Sequence, residues 1–110
     1  MTTVSFYSRN SKLTGFKATG HAGNTPAGEN IICAAVSALT QTAYIGLKEV
    51  GSIPVMFDTA DAYFEVRLCP ELDAIQSEKA QLLLETLRQG LKAIEREYPK
   101  EVRIITKERR

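Results

Sequence analysis

Two β-rich runs open the chain, residues 4–8 and 13–18, with Arg9, Asn10, Ser11 and Lys12 between them. Asn and Ser favour turns, so this stretch predicts an N-terminal hairpin. Residues 20–29 then hold three glycines and a proline, a composition that predicts a loop of about ten residues. Asn30 is a suitable N-cap for the helix that follows, because its side-chain oxygen can accept from a backbone N–H of the first turn. The helix is expected to run to about residue 50, where Gly51 supplies a stop. Ile32, Ala35, Val36, Leu39, Ala43 and Leu47 recur at steps of three and four and form its apolar stripe. Cys33, Ser37 and Gln41 form a second stripe on another side of the same helix.

Residues 53–57 and 62–68 read as strands joined by a turn at 58–61, with Pro54 suited to a strand start or an edge. In the second of them Tyr63, Glu65 and Arg67 alternate with Phe64, Val66 and Leu68, the mark of a sheet with one buried face. A second helix is expected after Ser77, with Ala80, Leu83, Leu84, Leu87, Leu91, Ile94 and Tyr98 on one face and Pro99 closing it. Residues 102–106 read as a last strand. The order ββαββαβ predicts an α+β two-layer sandwich, a largely antiparallel sheet with two main helices on one face. Residues 1–110 are expected to form a single domain, since this length cannot hold two independent cores.

Charge and composition narrow the function only a little. A net charge of +1 exerts no general pull on nucleic acid or membrane. The basic end, Lys107 to Arg110, is interrupted by Glu108 and reads as a solvated tail, with RNA contact as the minor alternative. No apolar run is expected to reach the roughly 20 residues of a bilayer span. The start of the chain lacks the layout of a signal peptide, which predicts a cytoplasmic protein with thiols rather than disulfides. Two cysteines and one histidine are too few for a structural zinc site, and no cofactor is expected.

The chemistry concentrates in one segment. His21, the only histidine, sits in the glycine-rich stretch, and Cys33 follows twelve residues later at the expected start of the helix. A cysteine near a helix start is ordinarily inert core, and a lone loop histidine is ordinarily surface. Together they have another use. A cysteine thiol with the ordinary pKa of about 8.5 is only a few per cent ionised at pH 7. Lowering that value by two units requires about 2.7 kcal/mol of preference for the thiolate. A helix N-terminus supplies only about 0.3–1 kcal/mol, so an imidazolium is also needed. If Cys33 is a nucleophile, His21 must be its base. On the expected register, backbone N–H groups of the first turn around Cys33 and Ala34 would hold an oxyanion.

Other residues near the segment are ambiguous. Ser37 could support the site or simply bond back to a carbonyl one turn earlier. Asn30 could orient an imidazole or be occupied as a cap. Cys69 has no base near it in sequence and reads as structural. The spacing Gly23 to Gly28 resembles a phosphate-binding loop, but Glu29 and Asn30 stand where such a loop needs Lys and Ser or Thr.

The same residues carry a resemblance. Gly20-His21-Ala22-Gly23, followed by Gly28-Glu29-x-Ile31-x-Cys33-Ala34-Ala35-Val36-Ser37-Ala38-Leu39, resembles the signature of the ribosomal-processing cysteine proteases, the Prp family. That resemblance implies a bacterial endopeptidase with His21 as base and Cys33 as nucleophile. Its partner would be a large-subunit ribosomal protein precursor, cut after an aromatic residue to remove an N-terminal extension. It also implies a homodimer, whereas the balanced charge and composition are what predict no membrane and no direct nucleic-acid partner. One position departs: the family usually has aspartate where this chain has Asn30. That departure favours the alternative, a non-enzymatic ribosome-associated binding module on the same fold.

Overall fold

A computed structural model describes residues 1–20 and 27–109, and for residues 27–30 the backbone alone. The first hairpin pairs β1 (Thr2–Arg9) with β2 (Lys12–Thr19). Asn10 and Ser11 between them both take positive φ, 52° and 65°, as a two-residue hairpin turn requires. Helix α1 (Ala27–Ile45) continues into a π-helical turn, Gly46–Val50, that ends where the Gly51 N–H bonds to the Gly46 carbonyl. A second hairpin, β3 (Val55–Ala60) and β4 (Tyr63–Leu68), precedes α2 (Ala74–Glu97) and β5 (Val102–Glu108).

The five strands form one sheet in the order β3-β4-β2-β1-β5, antiparallel except where β5 runs parallel to β1. Register carries the apolar alternation across it: Phe6 faces Phe16, Phe16 faces Val66, and Val66 faces Phe57. Val4, Phe6, Phe16, Val66 and Val102 pack from the sheet against Val36 and Leu47 of the first helical segment and Leu84 and Leu91 of α2. Complete burial of such side chains contributes about 1.5–3 kcal/mol each. The expected α+β class and the order ββαββαβ are as found.

Several boundaries differ from expectation. Helix α1 begins at Ala27, so Asn30 lies inside it and is not its N-cap, and the expected loop at 20–29 loses its last three residues. Residues 58–60, expected as turn, extend β3, and the turn is Asp61 with Ala62, the latter at φ 56°. Ile53, expected in β3, precedes that strand and fills the core instead. Helix α2 begins three residues before Ser77, where Asp73 and Gln76 form a reciprocal capping box. Lys107, Glu108 and Arg109 are exposed, as a solvated tail requires, and Arg109 is also anchored: it donates its backbone N–H to the Ser8 carbonyl at 2.7 Å, and its guanidinium lies 3.8 Å from the Tyr7 ring centroid. Residues Ile31–Val50 do reach bilayer length, with mean hydropathy 1.3. Their apolar stripe is nonetheless committed to the sheet, with Val36 and Leu47 in the core and Lys48 and Glu49 exposed.

Candidate active site

One end of the sheet gathers the residues of interest. Thr2 opens β1, Gly20 follows β2, and the β3–β4 turn closes the far side. Helix α1 crosses above them with Cys33, Ser37 and Gln41 toward the opening, as their spacing predicts. These elements enclose a cleft of about 320 Å³, whose lining includes Thr2, Gly20, Cys33, Ser37, Asp61 and Tyr63. Cys33 is half-buried there, and Ser37 is exposed one turn later.

The backbone holds this corner tightly. Thr2 donates its N–H to the Glu101 carbonyl at 2.8 Å, and Gly20 donates its own to the Ala62 carbonyl at 3.1 Å. Gly20 has φ +81°, and a Cβ at this position would lie 2.4 Å from the Met1 carbonyl oxygen. Only glycine fits both the conformation and the space. The thiol of Cys33 is in turn 3.6 Å from the Thr2 hydroxyl. Gly20 and Cys33 therefore converge on the consecutive residues Met1 and Thr2 at the start of β1, although thirteen positions separate them in the chain. His21 is the next residue after Gly20 in the chain. The side chain of His21 and its distance from Cys33 lie outside the described residues, as does the side chain of Asn30.

Behind the cleft an aromatic row stiffens the β3–β4 hairpin against the sheet and the helix. Phe64 contacts Phe16, Phe57 and Tyr44 at centroid separations of 6.1, 5.1 and 6.1 Å. Tyr44 stacks on Phe57 at 4.5 Å. At the mouth, Tyr63 donates its hydroxyl to Glu65 at 2.9 Å. That bond, then burial, then the Glu65 and Asp58 carboxylates hold the Tyr63 phenol above its ordinary value, so it remains a neutral hydroxyl at physiological pH.

One expectation about the electrostatics is corrected. Cys33 lies six residues after the start of α1 at Ala27, about 9 Å along the axis, and not in the first turn. Inside a helix the N–H groups of Cys33 and Ala34 are bonded to carbonyls four residues earlier, so they are not free oxyanion donors. The helix dipole also weakens beyond the first turn and does less for this thiol than the Asn30 register promised. Thr2, in contrast, is a neighbour of the thiol that the sequence reading left out. Its position two residues before Val4, on the same face of β1, is the signal that could have found it. Cys69 is placed far from this cleft, just past the end of β4 at the other end of the sheet.

The architecture recurs in known proteins. A family model described as cysteine protease Prp matches residues 1–103. The ribosomal processing cysteine protease Prp of Bacillus subtilis strain 168 is 30% identical over 96 residues, 86% of each chain. A crystal structure of the ribosomal processing protease Prp from S. aureus, in complex with a substrate peptide, superposes with a TM-score of 0.85 at 26% identity. It covers 97% of this chain and 100% of that one. The same S. aureus protease with a covalently linked product peptide gives 0.83 at 27% identity, again over 97% and 100%.

Proposed function

This chain belongs to the Prp family of cysteine proteases, and we propose that it removes an N-terminal extension from a large-subunit ribosomal protein precursor, with Cys33 as nucleophile and His21 as base. Family membership supports a protease over the binding-module alternative. The observation that carries the assignment of residues is the convergence of Gly20 and Cys33 on Met1 and Thr2 in one open cleft.

The reaction is an acyl transfer in two halves. His21 takes the thiol proton, and the Cys33 sulfur forms a bond to the scissile carbonyl carbon while the carbonyl π electrons move to oxygen. When the carbonyl re-forms, the C–N bond breaks and the leaving amine receives the proton from His21. The N-terminal fragment is then held on Cys33 as a thioester. Water, deprotonated by His21, attacks the thioester and the thiol leaves with that proton. With the helix dipole weaker than expected at Cys33, stabilisation of the thiolate falls chiefly to the imidazolium.

The B. subtilis and S. aureus relatives are ribosomal processing proteases, which supports this substrate class, and cleavage after an aromatic residue, a homodimeric state and a cytoplasmic setting come with the same reading. Peptides copied from the N-termini of the ribosomal proteins of its own organism test it. One peptide is expected to be cut at a single bond by the parent protein and by none of the Cys33→Ala preparations. Failure to cut any of them, or equal cutting by Cys33→Ala, would overturn the reading. Sedimentation at micromolar concentration checks the dimer, with twice the chain mass as the expected result.

A further inference from the structure

Thr2 occupies an unusual place for a hydroxyl. Thr2, Val4 and Phe6 alternate onto the same face of β1, and Val4 and Phe6 are fully buried in the core. Thr2 itself is only 6% exposed. A valine of the same shape would satisfy that position as packing. The hydroxyl meets Cys33 Sγ at 3.6 Å across 31 residues of sequence. A buried hydroxyl without a partner costs free energy, so this contact has to be weighed as a designed one.

We propose that Thr2 is a positioning residue of the protease reaction, holding the Cys33 sulfur at the cleft and donating a hydrogen bond to it when it is a thiolate. This rests on the reading of Cys33 as nucleophile. In the neutral pair either group can donate, so the contact is worth little to one state over the other. Once the thiol proton has gone to the base, only the hydroxyl can donate, and the contact becomes a charge-assisted one. The Thr2 proton stays on oxygen throughout. The backbone of Thr2 is fixed by its N–H bond to Glu101 and by pairing of β1 on both sides, so the hydroxyl is oriented before substrate arrives. This is the contribution that a first-turn dipole cannot make six residues into the helix. The ionisable groups that the β3–β4 hairpin brings to the cleft are Asp61 and Tyr63, and a change at Thr2 removes neither.

The test is the pH profile of alkylation at Cys33, read by peptide mass mapping in the parent, Thr2→Val, Thr2→Ala and Thr2→Ser proteins. Thr2→Val keeps the shape and deletes the donor. It is expected to alkylate about threefold to tenfold more slowly at pH 6.5, with the same plateau at high pH, so that the midpoint moves upward. Thr2→Ala cannot clash and is expected to show the same upward move, whereas Thr2→Ser keeps the donor and is expected to stay near the parent. On a cleaved peptide, Thr2→Val is expected to lower kcat with little change in KM. Superimposable profiles for the parent, Thr2→Val and Thr2→Ala would overturn the proposal, as would a Thr2→Ser profile that follows Thr2→Val. Because the readout is the modification of Cys33 itself, that result is distinct from failure of the nucleophile assignment, which would show as cleavage surviving in Cys33→Ala.

Discussion

Cys33 and Cys69 lie at opposite ends of one sheet. Thr2 and Arg9 mark those ends on β1, seven residues apart, which is about 23 Å of strand. The Cys33 end brings together a strand hydroxyl, a glycine held against a backbone carbonyl, and the departure point of the only histidine. Around Cys69 there is a larger cavity, about 460 Å³, whose lining includes Arg9, Lys12, Arg67 and Arg109. Guanidinium and ammonium groups already carry their protons and cannot accept one from a thiol during a reaction. A turnover cycle needs a group that can accept the thiol proton and return it.

The largest effect expected from this comparison is at Cys33. Cys33→Ala is expected to lower kcat/KM on a cleaved peptide by roughly a thousandfold or more while the thermal melt stays cooperative. Cys69→Ala is expected to remain within about twofold of the parent in the same assay. Loss of activity in the second variant would invert the assignment of the two ends.

Gly20→Ala comes next. The added Cβ would have to displace the Met1 carbonyl from 2.4 Å and accept φ +81°, and strain of that kind costs about 1–3 kcal/mol. Since the displaced Met1 carbonyl is bonded to Thr2 and Gly20 itself precedes His21, kcat/KM is expected to fall more than about tenfold, or roughly 1.4 kcal/mol. The melting temperature should fall with it. A variant with parental activity would mean that this corner does not position the chemistry.

Arg109→Ala probes the other end. It removes the cation from the Tyr7 ring, a contact worth about 0.5–1 kcal/mol, and is expected to lower stability in urea by that amount with kcat/KM unchanged. A fall in activity without a fall in stability would tie the two ends together. The smallest effect is expected at Tyr63. Its phenol is raised above the ordinary value of 10.0, so it loses its proton only above that pH. Tyr63→Phe should therefore leave the shape of the kcat/KM profile unchanged below pH 10, and a displaced alkaline limb would show that this hydroxyl titrates in the working range.

Much of the architecture was legible in residue patterns because those patterns report burial directly. The alternation at 63–68 places Phe64 and Val66 toward the core as found, and the stripe from Ile32 to Leu47 separates correctly from Cys33, Ser37 and Gln41. The helix starts were less legible. Asn30 has the chemistry of a cap, but α1 already runs from Ala27, and α2, expected only after Ser77, is capped earlier by Asp73 with Gln76. Side-chain chemistry suits several positions within a turn, and only the backbone decides among them. The parallel return of β5 beside β1 had no signature in either strand. That pairing anchors Thr2 through Glu101, so the contact most specific to the thiol depends on the part of the topology hardest to read locally. For His21 and Cys33, composition and spacing only raise the possibility of a base and a nucleophile, and the resemblance to the Prp signature is what favours it over an inert core cysteine.

The central claim is that Cys33, and not Cys69, carries the acyl group between the two halves of the reaction. The most direct measurement is intact-mass analysis of the protein quenched in acid during turnover of a cleaved peptide, followed by peptide mapping. An adduct with the mass of the N-terminal fragment is expected on Cys33 as a thioester, absent in Cys33→Ala and retained in Cys69→Ala. An adduct mapped to Cys69, or steady cleavage by Cys33→Ala, would contradict the account.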